Sequence, residues 1–453
     1  MTKKTSRRDF MKAGAAGSVG FWIASSPAIA RTYRRNEQLR IAAIGVGGRG
    51  RDNILAMRSE KFIAFCDVDG DRLGKATQGQ DIKAYTDYRQ MLEKEADNID
   101  AVVISAPDHH HAPAAVQAMN LGKNVYCEKP LTHNVREARI VKDLAAKTGV
   151  VTQMGNQSMA SESLRAAVEV IRSGAIGPVR EVHTWTNRPI WPQGADALLK
   201  HSGVHRALLG GDESGFATPP KTLDWNLWLG PAEMRPYDAV YAPFKWRGWW
   251  DFGTGALGDM ACHIMNLPFL ALELTGPTSV VAETSEVNDQ TAPRWAIVHY
   301  EFPESNGRPA VKFHWYEGGK LPSFPAIEGR QIKANGILMV GDKGILYAPE
   351  TAGEGYHLWP EEKFQGFQAP AKTLARAESG HHQEWIAACK GEGPRPFSSF
   401  DYAATLTETV LLGNAAMRVG GRKLDYDAEN TRITNYDDAN QYLTRTYREG
   451  WKV

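Results

Sequence analysis

The feature that most constrains this chain lies at residues 39 to 57. Leu39 to Ile44 is a short apolar run that ends in Gly45-Val46-Gly47-Gly48-Arg49-Gly50, and an amphipathic stretch continues to about Met57. The order is strand, glycine turn, helix. Gly45, Gly47 and Gly50 give the spacing G-x-G-x-x-G, in which the first glycine permits a tight turn, the second lets backbone approach a pyrophosphate, and the third lets the helix pack on the strand. Gly48 and Arg49 complete the turn. A second apolar run, Phe62 to Cys66, ends in Asp67, 22 residues after Gly45. A carboxylate there can accept hydrogen bonds from an adenosine ribose. The same charge repels a 2'-phosphate, so NAD is expected in preference to NADP. The competing reading is a glycine turn in another kind of doubly wound domain.

Further apolar runs follow at Ala101 to Ile104 and Asn124 to Cys127, separated by a helical pattern from His110 to Leu121 and followed by another from Val135 to Lys147. Continuously apolar strands belong to a parallel sheet covered on both faces. Ligands of such sheets bind beyond the carboxyl ends of the strands. Two polar clusters fall there: Pro107-Asp108-His109-His110-His111, and Glu128-Lys129-Pro130. Asp108 reads as the N-cap of the helix that follows. Consecutive histidines at a helix start point in different directions, so the triplet does not read as a metal site.

Composition narrows the class. The chain has 453 residues with 53 Lys and Arg against 52 Asp and Glu, a balance that leaves no electrostatic footprint for nucleic acid. Its length suits about three domains, or two large ones. Cys66, Cys127, Cys262 and Cys389 are far apart with no C-x-x-C pair, which argues against a disulfide framework or structural zinc and for reduced, buried thiols.

The first 30 residues read as an export signal. Ser6-Arg7-Arg8-Asp9-Phe10-Met11-Lys12 precedes a mildly apolar stretch from Ala13 to Ser26 and a small-residue cleavage site, Ala28-Ile29-Ala30. The stretch is shorter than the roughly 20 residues of a membrane span and is interrupted by Gly14, Gly17 and Gly20, so no stable anchor is expected. The paired arginines resemble the twin-arginine signal, which carries folded proteins and points to a periplasmic or other extracytoplasmic site. Cleavage after Ala30 removes Lys3, Lys4, Arg7, Arg8, Lys12 and Asp9, leaving 48 basic against 51 acidic residues.

The glycine turn, the Ala106-Pro107-Asp108-x-x-His111 segment and Glu128-Lys129-Pro130 together resemble the Gfo/Idh/MocA family of glucose-fructose oxidoreductase and inositol dehydrogenase relatives. Downstream, Gly253-Thr254-Gly255-Ala256-Leu257-Gly258-Asp259-Met260-Ala261-Cys262-His263 fits that family's glycine-rich segment ending in Asp-x-x-x-His. The resemblance implies an α/β protein with an N-terminal Rossmann domain, here residues 31–155, and a C-terminal α/β domain, residues 156–453. That second domain's large, mainly antiparallel open sheet often serves in oligomer contacts, so a homo-oligomer, dimer or tetramer, is implied. Its substrates would be sugars, glycosides or polyols. Gly45, Gly47, Gly48, Arg49, Gly50, Asp67, Pro107, His111, Glu128 and Lys129 would bind the nucleotide.

Lys129 follows a strand end near the expected nicotinamide, where a partly desolvated ammonium can orient a hydroxyl and stabilise alkoxide charge. Asp259 and His263 are four apart and share one face of a helix. A neutral imidazole can take a hydroxyl proton near pH 7, so by analogy His263 is the base and Asp259 binds substrate. The alternatives are a helix salt bridge or half of a metal site lacking a third ligand, and no metal is assigned. His111 either faces cofactor or substrate or is structural. His381 and His382 open a helical stretch that could border the site.

From Arg188 to Trp250 the pattern breaks into a Pro-, Gly- and Trp-rich insertion with Trp225, Trp228, Trp246, Trp249 and Trp250. Long irregular segments are usually functional. Most of these rings read as anchors of the loop, while Trp246 and Arg247 are candidates for a sugar subsite. Alternating runs at Val179 to Trp185, Val280 to Glu283, Ala296 to Phe302 and Val311 to Tyr316 predict the second sheet, and helices are expected near 162–172, 380–390 and 401–418.

Export and cofactor together constrain the chemistry, because no free NAD pool exists outside the cytoplasm. The nucleotide must be carried out tightly bound and regenerated on site. Net sugar oxidoreduction satisfies this, as does a redox-neutral NAD-dependent glycosidase working through a transient keto-sugar. Exported glycosidases similar to this family carry another residue at the E-K-P lysine, so Lys129 favours oxidoreduction. A catalytically silent nucleotide-binding protein is the remaining class, and intact Lys129, Asp259 and His263 argue against it.

Overall fold

The computed structural model describes residues 37–200 and 216–453; the export signal expected at 1–30 lies outside them. The first sheet is all parallel, built from β1 (Arg40–Ile44), β2 (Lys61–Cys66), β3 (Lys83–Tyr85), β4 (Ala101–Ile104), β5 (Asn124–Glu128) and β6 (Thr152–Gly155) in the order β3-β2-β1-β4-β5-β6. This is the doubly wound order of a dinucleotide-binding domain, with the topological switch between β1 and β4. Helices α1 (Arg49–Ala56), α2 (Gly70–Thr77), α3 (Tyr88–Glu95), α4 (His111–Asn120) and α5 (Val135–Thr148) connect the strands. The Asn134 side chain caps α5 by accepting from Glu137 N at 3.0 Å while the Glu137 carboxylate accepts from the amides of His133 and Asn134.

Helix α6 (Glu162–Arg172) leads into β7 (Val179–Trp185), the first strand of a nine-stranded sheet. In the insertion lie the short helices α7 (Ala195–Lys200) and α8 (Trp225–Leu229). Beyond it come α9 (Gly255–Ile264), α10 (Asn266–Ala271), β8 (Ser279–Thr284), β9 (Ala296–Phe302), β10 (Val311–Glu317), β11 (Gly336–Gly341), β12 (Ile345–Pro349), β13 (His357–Trp359), α11 (His381–Lys390), α12 (Phe400–Val419), β14 (Leu424–Asp427) and β15 (Arg432–Ile433). The second sheet runs β13-β12-β11-β7-β10-β9-β8-β14-β15 and is antiparallel except where β7 and β10 pair in parallel. The mainly antiparallel sheet expected from the alternating runs is therefore present.

Alternation in β9 and β10 buries Val298, Tyr300, Phe302, Val311, Phe313 and Trp315 on one face, against a core that includes α9 and α12. The opposite face carries Trp185, Tyr316, Leu338, Tyr347 and Trp359 as a separate aromatic cluster. Helix α11 packs on the first sheet: Trp385, Ile386 and Cys389 join Leu39, Ile41, Val103 and Tyr126 in one cluster. Helix α11, which begins 226 residues after the end of the last parallel strand, thus covers one face of that sheet, and the described residues form one compact unit. All four cysteines are buried and unpaired. No helix among the described residues is long and apolar enough to cross a membrane.

Candidate active site

The glycine turn closes as its spacing requires. Gly45 has φ +77° and lies so close to β4 that a Cβ there would sit 2.7 Å from the Ser105 carbonyl oxygen. A Cβ on Gly50 would lie 1.9 Å from the Gly45 oxygen, so any side chain pushes α1 off the turn. By contrast, Gly48 faces open space, and Gly47 meets only the flexible Arg72 side chain. Helix α1 begins without a side-chain cap. An open glycine cradle at an uncapped helix start fits a dinucleotide pyrophosphate.

Asp67 stands at the end of β2 and is 8% exposed. Its carboxylate accepts from the amides of Val46 at 2.9 Å and Asp69 at 3.0 Å. Burial raises its pKa, against the pull of these two amides and of Arg72. Asp67 therefore braces the glycine turn from the end of β2, where the ribose acceptor was expected. Glu128, also buried, accepts from Asn53 Nδ2 at 2.9 Å and Gln157 Nε2 at 3.0 Å, which ties α1 to the ends of β5 and β6. Its pKa is raised by burial. His382 stacks on Tyr126 and lies 2.9 Å from Asn53 Oδ1, so the His381-His382 pair does border this network.

One residue beyond β5, Lys129 Nζ donates to Asp259 Oδ1 and to the Asp259 carbonyl, both at 2.7 Å. The pair is 15% and 14% exposed, which makes it a nearly buried ion pair. Two of the three ammonium donors are used by these contacts. Arg247 Nε lies 3.4 Å from Asp259 Oδ1 and Arg188 Nε 4.0 Å from Oδ2. Burial would raise the Asp259 pKa, but Lys129 and Arg247 outweigh it and hold the group below its ordinary value. His263 lies one turn further along α9 and is half-buried. Burial and the Lys129 charge push its pKa down to about 3 against the upward pull of Asp259, so the imidazole is neutral.

Asp108 does not cap α4. Its side chain turns inward, 5% exposed, and accepts from Thr254 Oγ1 at 2.7 Å, while α4 starts with no side-chain cap. The N-cap expectation fails because Thr254, at the start of α9, offers a buried donor. Burial pushes the Asp108 pKa up to about 7 despite Thr254, Arg247 and Lys129. Pro107 precedes it on the same loop. Both ring nitrogens of His111 face main-chain carbonyls, Nδ1 to Pro130 at 2.7 Å and Nε2 to Ala106 at 2.8 Å. It joins the loops after β4 and β5.

The insertion builds a second small core from Trp228, Leu229, Tyr237, Tyr241, Trp246, Trp249 and Phe252. It docks beside the first sheet, with Gly70 N donating to Thr222 O at 2.8 Å and Asp224 N to Val68 O at 2.9 Å. His109 Nε2 at 3.0 Å and His110 Nε2 at 2.8 Å both face the Trp228 carbonyl, so two of the three adjacent histidines hold the insertion in place. Trp246 is 6% exposed, and the Arg247 guanidinium lies 4.4 Å from its ring centroid. Trp246 thus supports Arg247, and it is Arg247 that reaches Asp259.

Asn53, Asp108, Gln157, Arg188 and Thr254 belong to this constellation without having been singled out as site residues. Asn53 and Gln157 carry no motif, and their place emerges only from the convergence of α1, β5 and β6. A polar residue on the buried face of a helix that follows a glycine turn was the available signal for Asn53.

Residues 39–156 match the Gfo/Idh/MocA family model described as an oxidoreductase family NAD-binding Rossmann fold, and residues 205–307 match the model for that family's C-terminal alpha/beta domain. A glycosyl hydrolase family 109 protein of Stenotrophomonas maltophilia is 28% identical over 187 residues, 38% of this chain and 40% of that protein. Inositol 2-dehydrogenase of Rubrobacter xylanophilus is 28% identical over 147 residues, 31% of this chain and 42% of the relative. The chain thus matches about two fifths of the length of these curated relatives. Among solved structures, the WlbA dehydrogenase of Bordetella pertussis, in complex with NADH and UDP-GlcNAcA, superposes with a TM-score of 0.57 at 15% identity, covering 86% of this chain and 99% of that one. At that identity the likeness is one of fold.

Proposed function

We propose, on the premise that this chain belongs to the Gfo/Idh/MocA oxidoreductase family, that it is an NAD-dependent dehydrogenase acting on a hydroxyl of a sugar, glycoside or polyol. The observation that carries this is the nearly buried Lys129–Asp259 pair at the carboxyl end of β5, with neutral His263 on the same helix as Asp259. The glycine turn, Asp67 and the network around Glu128 would hold NAD, which when bound supplies the hydride acceptor. Lys129 has a donor left to orient the substrate hydroxyl and to stabilise the oxygen as its proton leaves. His263 takes that proton. An imidazole held at about 3, chiefly by burial, is a weak base alone, and the Lys129 charge assists it by acidifying the hydroxyl that it must deprotonate. Lys129 and Arg247 keep Asp259 ionised, and Arg188 lies 4.0 Å from its other oxygen.

The likeness to a glycosyl hydrolase family 109 protein supports a second reading, a redox-neutral glycosidase that begins with the same proton abstraction. Isotopes separate them. With a sugar deuterated at the reacting carbon, the dehydrogenase yields a ketone and leaves deuterium on the nicotinamide or on a second sugar. Release of the aglycone with solvent deuterium at the adjacent carbon, deuterium back at its original carbon and no accumulated ketone overturns the first reading.

Export through the twin-arginine route to an extracytoplasmic site is part of this proposal, supported by Arg7-Arg8 and Ala28-Ile29-Ala30. So is a homo-oligomer, dimer or tetramer. Cell fractionation with an Arg7→Lys, Arg8→Lys variant tests the first, and light scattering the second.

A further inference from the structure

Outside the candidate active site, the face of the large sheet turned away from α9 and α12 carries a compact group of ligating side chains. Glu181 and His183 are two apart on β7, so they share one face, and parallel pairing sets His314 of β10 directly beside His183. One Glu181 oxygen, one His183 nitrogen and one His314 nitrogen all lie within 4.8 Å of one another. His183 Nε2 is 3.1 Å and His314 Nε2 3.5 Å from Glu181 Oε1. His183 is 4% exposed, and its Nε2 has no hydrogen-bond partner among the described residues. A buried ring nitrogen 3.1 Å from a carboxylate oxygen but not hydrogen-bonded to it is an unsatisfied group that a ligand shared by the two would satisfy.

The outer contacts decide where the protons sit. His183 Nδ1 lies 3.0 Å from the Tyr316 hydroxyl. His314 Nδ1 lies 2.6 Å from His299 Nδ1, and His299 Nε2 lies 3.3 Å from Glu283 Oε1. If His299 donates from Nε2 to Glu283, its Nδ1 accepts from His314 Nδ1–H, and the His314 Nε2 lone pair is left facing Glu181. If His183 Nδ1–H donates to Tyr316, its Nε2 lone pair faces the same oxygen. A carboxylate–histidine chain behind a ligand histidine is the usual outer support of a bound metal.

We infer that Glu181, His183 and His314 form a divalent metal site of the zinc class, with two imidazoles, one carboxylate and a fourth position open to water. Two nitrogens and an oxygen suit zinc better than magnesium or calcium, which prefer all-oxygen shells. Zinc bonds of about 2.0–2.2 Å require the ligand atoms to draw together by about 1 Å from their present spread. The ion clips β7 to β10 at the one parallel pairing of this sheet among the described residues, and the site is independent of the oxidoreductase reading.

The test uses the whole protein, stripped with a chelator and dialysed against zinc sulfate. Bound zinc is counted by mass spectrometry, affinity is measured by competition with a chelating dye, and cobalt(II) supplies a visible spectrum. One zinc per chain and an intense tetrahedral cobalt spectrum are expected. His314→Ala and the conservative Glu181→Gln should each weaken zinc by more than tenfold, and Glu283→Gln, which disturbs only the outer chain, by about tenfold. Wild-type protein that takes up no zinc, or folded Glu181→Gln and His314→Ala variants that take it up as tightly as wild type, overturns the inference.

Discussion

Asp108→Asn is the substitution whose effect can be worked most directly from the structure. The carboxyl is 5% exposed and held at about 7 by burial, against an ordinary value of 3.8. Between those values the unfolded chain is ionised there and the folded chain is protonated, so the folded state binds more protons and stability falls as pH rises. The contribution is fully present below 3.8 and is lost as pH rises through about 7. The slope is about 1.4 kcal/mol per pH unit, which gives about 3 kcal/mol between about pH 5 and pH 8. Asparagine keeps the shape and an acceptor for the Thr254 hydroxyl but has nothing to ionise. Its extra amide donors add an offset that does not depend on pH. The stability difference between wild type and variant should therefore shift by about 3 kcal/mol over that range, in favour of the variant at high pH. For one cooperative unit of roughly 400 residues, this is about 3 °C in Tm. Thermal unfolding in a pH series measures it directly. A difference that stays constant from about pH 5 to pH 8 refutes the assignment of a protonated carboxyl at this position. Because Asp108 feels Lys129 and Arg247, a near-neutral inflection in the pH–rate profile should disappear in the same variant.

Other consequences follow from the same geometry. Lys129→Ala and His263→Ala should each lower turnover by about two to four orders of magnitude while nucleotide binding, followed by fluorescence, survives; unchanged turnover in either sinks its role. Asp67→Ala should weaken NAD more than NADP in binding titrations, because the ribose acceptor is lost while repulsion of a 2'-phosphate is relieved; Asp67→Asn, which keeps one acceptor for the Val46 or Asp69 amide, separates loss of charge from collapse of the turn. Trp385→Ala removes a fully buried ring from the face of the parallel sheet and should cost about 3–5 kcal/mol in urea unfolding; a loss under about 1 kcal/mol would mean that α11 is not part of that core. His110 and His382, held at about 4, and His381, at about 3, are neutral in the fold but titrate near 6.5 once unfolded, so their contribution is present above 6.5 and lost as pH falls toward 4; a Tm unchanged over that interval contradicts their burial as neutral groups.

The parallel sheet was legible because its strands are buried on both faces and leave uninterrupted apolar runs. Ala101–Ile104 appears with the bounds read from the sequence, and β1, β2 and β5 differ at one end by a single residue. The same criterion misses β3, whose Lys-Ala-Tyr is largely exposed at the sheet edge, and β6, whose Thr-Gln-Met-Gly buries polar groups that the rest of the chain satisfies. Gln153 donates to the His381 carbonyl and Thr152 accepts from Phe400 N, partners more than 220 residues away. No local pattern carries such information. Helix α11 was visible as a helix, but its docking on the first sheet was not, since a buried Trp385 reads the same whichever core it enters.

The site divides along the same line. Lys129, Asp259 and His263 were legible as candidates because they fall in short, contiguous motifs at strand and helix ends, and the structure brings Lys129 and Asp259 into contact. Asp108 was misread because an Asp before a helix is ordinarily a cap; what changed its role is Thr254, 146 residues on, which supplies a buried hydroxyl. The Glu181, His183 and His314 group failed to register for a related reason. Glu-x-His in a strand is only an alternation until another strand is known to lie beside it, and nothing before the register shows that β10 pairs with β7 in parallel and puts His314 level with His183. Convergence across strands depends on topology, so chemistry of this kind becomes visible only after the fold is known.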